Sequence, residues 1–387
     1  MPKGKFIPIT PSVLTWAIKE SGIPYEEIAT SAGVDPAELS AWEQGKSKPI
    51  KGQLKKLSTA LRRQPAVFLL PEPPSIPSAS VQFRHPPEAT RDSLNAVEHT
   101  ALRSAKRIQG AASWVLKELG KYPVEIPEID RRVDGEKTGE ELRRHLQVPV
   151  QAQFRWRDAS QAFKEWRSVL EKQGLLVMSF SMGDASCRGF SVWDEFAPLI
   201  AINTQWRTEA RIFTLFHEYA HLVTRTDSAC LQNSIFRNGS ASDPQERWCE
   251  EFSAGFLLPW DAVQSALQGQ FRWTPGTRMT DLEQASYLAA KFKVSLRAAT
   301  LRLIGKGVAS WDLYDAIPDT ADRKPDMQGG VGRDRRQLKE ASYGLRAASV
   351  FIKALNENLV TRAEALSYLD VAYDDLVHMQ RSVPALG

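Results

Sequence analysis

Phe213–Val223 reads FTLFHEYAHLV, which sets two histidines and a glutamate inside an apolar run. His217 and His221 stand four residues apart, so on a helix both imidazoles share one face. Glu218 lies one residue on, beside that face. H-E-x-x-H is the spacing at which two imidazole nitrogens bind one Zn2+ while the glutamate reaches the water on the metal. Ile212, Phe213, Leu215, Phe216, Leu222 and Val223 would bury such a helix. A dication there offsets the desolvation of the polar groups. The plainer alternative is two core histidines bonded to backbone, with Glu218 at the surface.

Two histidines are too few for a catalytic zinc, which takes three protein ligands and leaves one position to water. Thr224 and Asp227 stand where a longer H-E-x-x-H-x-x-G-x-x-H pattern has its glycine and last histidine, although an aspartate can itself bind metal. A better source is SDPQERWCEEFSAGFLLP, residues 242–259, which reads as one helix between Pro244 and Pro259. It carries Glu246, Glu250 and Glu251, with Glu246 and Glu250 on one face. Packed beside the first helix, it would supply a carboxylate; solvated glutamates are the alternative. Cys249, one turn from Glu246, reads as packing ahead of a redox-sensitive neighbour.

Upstream, residues 160–203 change character. Ala162–Gln173 reads as a helix, and LLVMSF (175–180), RGFSVW (188–193) and PLIAIN (198–203) read as strands. PLIAIN, just before the histidine helix, is a candidate edge strand for pairing an extended substrate. Residues 11–70 read as four short helices with Gly-containing connections, the grammar of a helix-turn-helix. Asp35 and Pro36 form an N-cap and N1 pair. Residues 71–90 hold six prolines and read as a stiff linker or strap. A long helix from Asp92 to Leu119 follows, and a last helical segment, 334–380, comes after a loop at Gly329–Gly330.

The expected class is α+β: mostly helical, with a small sheet. The expected boundaries are a helix-turn-helix bundle at 1–70, a linker at 71–90, a zincin-like metallopeptidase domain at 91–270, helices at 271–320 and a C-terminal helical region at 321–387.

The whole chain has 387 residues and a net charge of only +4, so its surface is not built throughout for polyanions. Five of the ten basic residues among the first 70 lie between Lys46 and Lys56, a mild local patch. Three cysteines at irregular spacing give no disulfide framework and fit a reducing compartment, hence the cytoplasm. No apolar run approaches the ~18 residues that a membrane span needs.

PLIAIN…RIFTLFHEYAHLV…ERWCEEFSAGFLLP resembles the ImmA/IrrE metallopeptidase family, through Arg211, Phe213, Thr214, His217, Glu218, His221, Glu246, Phe252 and Pro259. Residues 11–74, with AWEQGKSKP and VFLLPEPP, resemble the XRE-type helix-turn-helix found fused ahead of that domain, and 288–307 resembles the helices that follow it. The resemblance implies zinc as cofactor and selects Glu246 as third ligand. Cys249, Glu250 and Ser253 depart from the family pattern, and Glu250 becomes a partner of a metal ligand or a competitor for the metal. It implies cleavage of a repressor-type regulator inside bacteria; some fused members are instead thought to act as antitoxins on a neighbouring toxin.

The expected mechanism is hydrolysis by metal-activated water with Glu218 as general base. The alternative is a non-catalytic antitoxin or transcriptional regulator that binds a toxin or DNA. PAELSAWE, residues 36–43, is the candidate recognition helix, yet it offers Glu38, Ser40 and Glu43 and none of the usual base-reading residues before Gln44. Trp42 reads as a core anchor. Contact with DNA or a partner, or self-association as a homodimer, would fall to Ser40, Gln44, Lys46, Lys48 and Lys51.

Overall fold

A computed structural model describes residues 6–21, 23–61, 63–73, 82–83, 95–183, 186–226, 228–230, 244–324 and 335–382. Asp227, the Gly329–Gly330 loop and most of the proline-rich stretch fall outside them. The chain divides into two compact units, Met1–Ser80 with Thr90–Ser104, and Val81–Ala89 with Ala105–Gly387.

The first unit is helical. α1 (Pro11–Lys19), α2 (Tyr25–Ala32), α3 (Pro36–Glu43) and α4 (Lys51–Ala60) precede a short 3-10 turn at Pro65–Leu69. Asp35 caps α3 as its sequence position requires, accepting from Ala37 N at 2.8 Å. Leu14, Ile28, Leu39, Leu57 and Phe68 close the core around the fully buried Trp42, the anchor expected there.

α5 (Ala96–Glu118) crosses from one unit to the other. In the second unit follow α6 (Gly135–His145), α7 (Val150–Arg155) and α8 (Ala159–Lys172), the last capped by Asp158. The linker-derived β1 (Gln82–Phe83) joins β2 (Leu176–Phe180), β3 (Gly189–Val192), β4 (Leu199–Asn203) and β5 (Ser228–Cys230) in a sheet ordered β1-β5-β3-β4-β2. β2 runs parallel to β4, and β3 runs antiparallel to both β4 and β5. β2, β3 and β4 are buried on both faces apart from half-buried Phe180, which is why each reads as a mainly apolar run, with Ser179, Ser191 and Asn203 buried among the apolar residues.

PLIAIN is not an edge. It becomes β4, in ladder contact with β2 on one side and β3 on the other, so no substrate strand can pair there. β3 is likewise covered on its far side by β5, and β5 by β1.

α9 (Thr208–Val223) packs on β3 and β4 and between α8 and α10 (Pro244–Leu257). Trp166 of α8 meets Phe216 of α9 edge-on at 5.0 Å between centroids, and Phe216 stacks on Phe256 of α10 at 4.1 Å. That aromatic column fixes the three helices together. α11 (Trp260–Phe271), α12 (Glu283–Phe292), α13 (Leu296–Gly305) and α14 (Trp311–Asp315) complete the helical shell. The single helical segment expected at the C-terminus is three: α15 (Arg335–Asn356), broken at Gly344, then α16 (Arg362–Leu369) and α17 (Tyr373–Ser382). Among the described residues no helix is long and apolar enough to cross a membrane.

Candidate metal centre

α9 buries every residue from Thr214 to Val223, so His217, Glu218 and His221 cannot turn to solvent on any face. The same turn of helix places His217 Nε2 3.2 Å from His221 Nε2. α10 brings Glu246 across to them, its Oε2 at 3.0 Å from His217 Nε2 and its Oε1 at 3.5 Å from His221 Nε2.

These separations are the test of fit for a metal. Donors around one tetrahedral Zn2+, each about 2.05 Å from it, lie roughly 3.3 Å apart. The separations of 3.0, 3.2 and 3.5 Å match that spacing, the two to Glu246 running to different carboxylate oxygens. Electrostatics agrees. Burial alone would raise the Glu246 carboxyl, yet the two imidazoles bonded to it hold it far below the usual carboxylate range. Burial alone would lower His221, yet Cys249 and Glu246 raise it. The cluster demands a positive charge among its nitrogens and oxygens, and a dication satisfies that demand without protons.

The surrounding groups orient these donors. Thr226 Oγ1 stands 3.2 Å from His221 Nδ1 and can accept a hydrogen bond from Nδ1–H in the tautomer that leaves Nε2 for a metal, whereas Gln245 Nε2, 3.1 Å from the same nitrogen, can donate only to the other tautomer. Glu250 is buried on α10, and burial pushes its carboxyl up to about 8, with His217 pulling the other way. Its Oε2 has no hydrogen-bond partner among the described residues. Glu218 is fully buried where α9 passes β3. Gly189 makes that approach possible: a Cβ there would lie 2.8 Å from Thr214 Cγ2 and 3.4 Å from Glu218 Cγ.

Cys249 packs in the buried core, as the sequence reading expects, and its sulfur also stands near the histidines: one donor atom each of His217, His221 and Cys249 lies within 4.8 Å of the others. Thr226 and Gln245 had no sequence signal, since both act through a loop and a helix start that only the fold brings to His221.

Site assignments of this kind separate by metal content. Glu246→Ala is expected to purify without stoichiometric zinc. Glu250→Gln, which touches no donor atom's own lone pair, is expected to keep zinc with about 10- to 100-fold weaker affinity in chelator competition. Equal zinc affinity in wild type and Glu246→Ala would remove Glu246 from the ligand set.

In the first unit, the acidic residues of α3 are already engaged. Glu38 Oε1 accepts from Trp42 Nε1 at 2.8 Å and from Ser47 Oγ at 2.9 Å, and Glu43 accepts from Tyr25 OH at 2.8 Å. Ser40 is half-buried and accepts from Gln44 Nε2 at 3.0 Å, while Gln44, Lys46, Lys48 and Lys51 are exposed.

Residues 170–303 match the family model for the IrrE N-terminal-like domain, and residues 14–68 match that for the helix-turn-helix. The chain fuses an XRE-type helix-turn-helix to an IrrE N-terminal-like peptidase domain. The peptidase-family match contains β2, β3, β4, α9 and α10, hence the whole metal-centre cluster. A search of the curated proteins finds no match.

Proposed function

We propose that the chain is a zinc-dependent endopeptidase that cuts a protein regulator in the bacterial cytoplasm, with the helix-turn-helix as its regulatory module. One observation carries this reading: His217 Nε2, His221 Nε2 and the Glu246 carboxylate converge at 3.0–3.5 Å, with Glu218 on the same turn of α9. Zinc, when bound there, is a Lewis acid that brings the pKa of its water from about 15.7 toward about 7. His217 and His221 bind as neutral imidazoles, and Glu246 supplies the anionic donor. Glu218 takes the proton from the attacking water and gives it to the departing amine nitrogen. Thr226 fixes the His221 ring, and Glu250 adds a carboxyl whose charge His217 feels.

The experiment uses the zinc-loaded full-length chain, a proteome-derived peptide library and the product of the adjacent gene, with new N-termini read by mass spectrometry. Cleavage is expected, lost in chelator and restored by zinc. Cleavage that survives the chelator would end the metallopeptidase reading.

The complete burial of Glu218 and His221 favours one second reading, a non-catalytic regulator or antitoxin whose metal is structural. Full zinc occupancy with no new N-termini would support it.

For the first unit, the engaged state of Glu38 and Glu43 supports a grip on DNA backbone rather than on bases. Replacing Lys46, Lys48 and Lys51 together by Glu is expected to abolish a gel shift on the gene's own promoter. Three lost phosphate contacts should lower the slope of log affinity against log salt by about 3. An unchanged slope would assign these lysines to no DNA contact.

A further inference from the structure

We infer that Cys249 is a fourth protein ligand of the metal centre and competes with water for the position at which hydrolysis would occur. This rests on the metal-centre reading above and goes beyond its three-ligand form. Cys249 is fully buried and in no disulfide. It lies three residues beyond Glu246, on the side of α10 that faces α9. Its sulfur belongs to the buried apolar core, and it also shares a 4.8 Å cluster with the donors of His217 and His221.

Thiolate suits zinc, at about 2.3 Å, and a centre with four protein ligands is closed, whereas a catalytic one keeps a position for water. Charge points the same way. Two neutral imidazoles, one carboxylate and one thiolate bring a buried dication to net zero. Binding balances simply: the Cys249 thiol gives its proton to solvent, its sulfur takes the fourth ligand position, and one water leaves. With the thiolate in place, Glu218 has no water to deprotonate and the peptidase is latent.

The test replaces zinc by Co2+ in the full-length protein and in Cys249→Ser and Cys249→Ala. Wild type is expected to show a thiolate-to-cobalt charge-transfer band in the near ultraviolet. Both variants are expected to lose that band while keeping the visible cobalt spectrum, and to bind zinc about 10- to 100-fold more weakly. A thiol reagent should find one cysteine protected by zinc in wild type and none in the variants. Cobalt bound by wild type without the band, or a band that survives both substitutions, would overturn the thiolate ligand and leave the three-ligand centre standing. If wild type binds no cobalt or zinc, the metal centre itself fails, and this inference with it.

Discussion

Glu218→Gln is expected to slow peptide hydrolysis by about 100- to 10,000-fold while leaving zinc content unchanged. The substitution is nearly isosteric, and it acts at a position with no solvent exposure, packed where Gly189 lets β3 close on α9. A glutamine fills the same space and keeps a polar oxygen there, so the fold and the donors His217, His221 and Glu246 stay in place. What it removes is the basicity. An amide cannot take a proton from water at neutral pH, and the route by which the proton reaches the amine nitrogen is gone. A centre whose metal were purely structural would have no need of the carboxylate, and neither wild type nor variant would cleave. Single-turnover cleavage and metal analysis on the same preparations decide the matter: a variant within a few-fold of wild type would leave Glu218 outside the chemistry.

The amino-acid sequence carried the elements with strong periodicity or firm punctuation. α3 begins and ends where Asp35, Pro36 and Glu43 placed it, and α10 lies between its two prolines. The three inner strands were legible because each is an apolar run short enough for a strand and bounded by polar or glycine residues. His217, Glu218 and His221 were legible because spacing along one helix is a local property. The pairing of strands is not local. Nothing in PLIAIN says that β2 will take one of its sides and β3 the other. β1 and β5 have two and three residues, too few for any periodic signal. The nearness of Cys249 to the histidines was illegible for a related reason. Its distance from Glu246 along α10 was plain, but whether its sulfur faced the core or the histidines depended on how α10 rolls against α9.

That roll is set by glycines on α6 and α10, and Gly139→Val should expose the dependence. α6 and α10 cross backbone to backbone. A Cβ at Gly139 would overlap the carbonyl oxygen of Phe252, one at Gly255 would overlap that of Glu136, and one at Gly135 would lie 2.8 Å from that of Trp248. No side chain fits between them, and the C-terminus of α10 is further pinned by Arg143 Nη1 on Phe256 O at 2.8 Å and Arg302 Nε on Leu258 O at 3.0 Å. Valine at 139 must therefore push α10 away from α6 or fail to fit, at a cost of about 3 kcal/mol. The displaced helix carries Glu246, Cys249 and Glu250, while His217 and His221 stay on α9. Ligand geometry tolerates only about 0.5 Å of error. Zinc affinity should consequently fall about 100-fold, the equivalent of 3 kcal/mol, although no donor residue has been touched. Urea midpoints in chelator read the first effect, and chelator competition reads the second. Gly110→Ala is the control. It lies in α5 with no described residue within 4 Å of an added Cβ, and it should stabilise by about 0.5–1 kcal/mol with zinc affinity unchanged. A Gly139→Val protein with the midpoint and zinc affinity of wild type would mean that the α6–α10 crossing does not hold the third ligand in place.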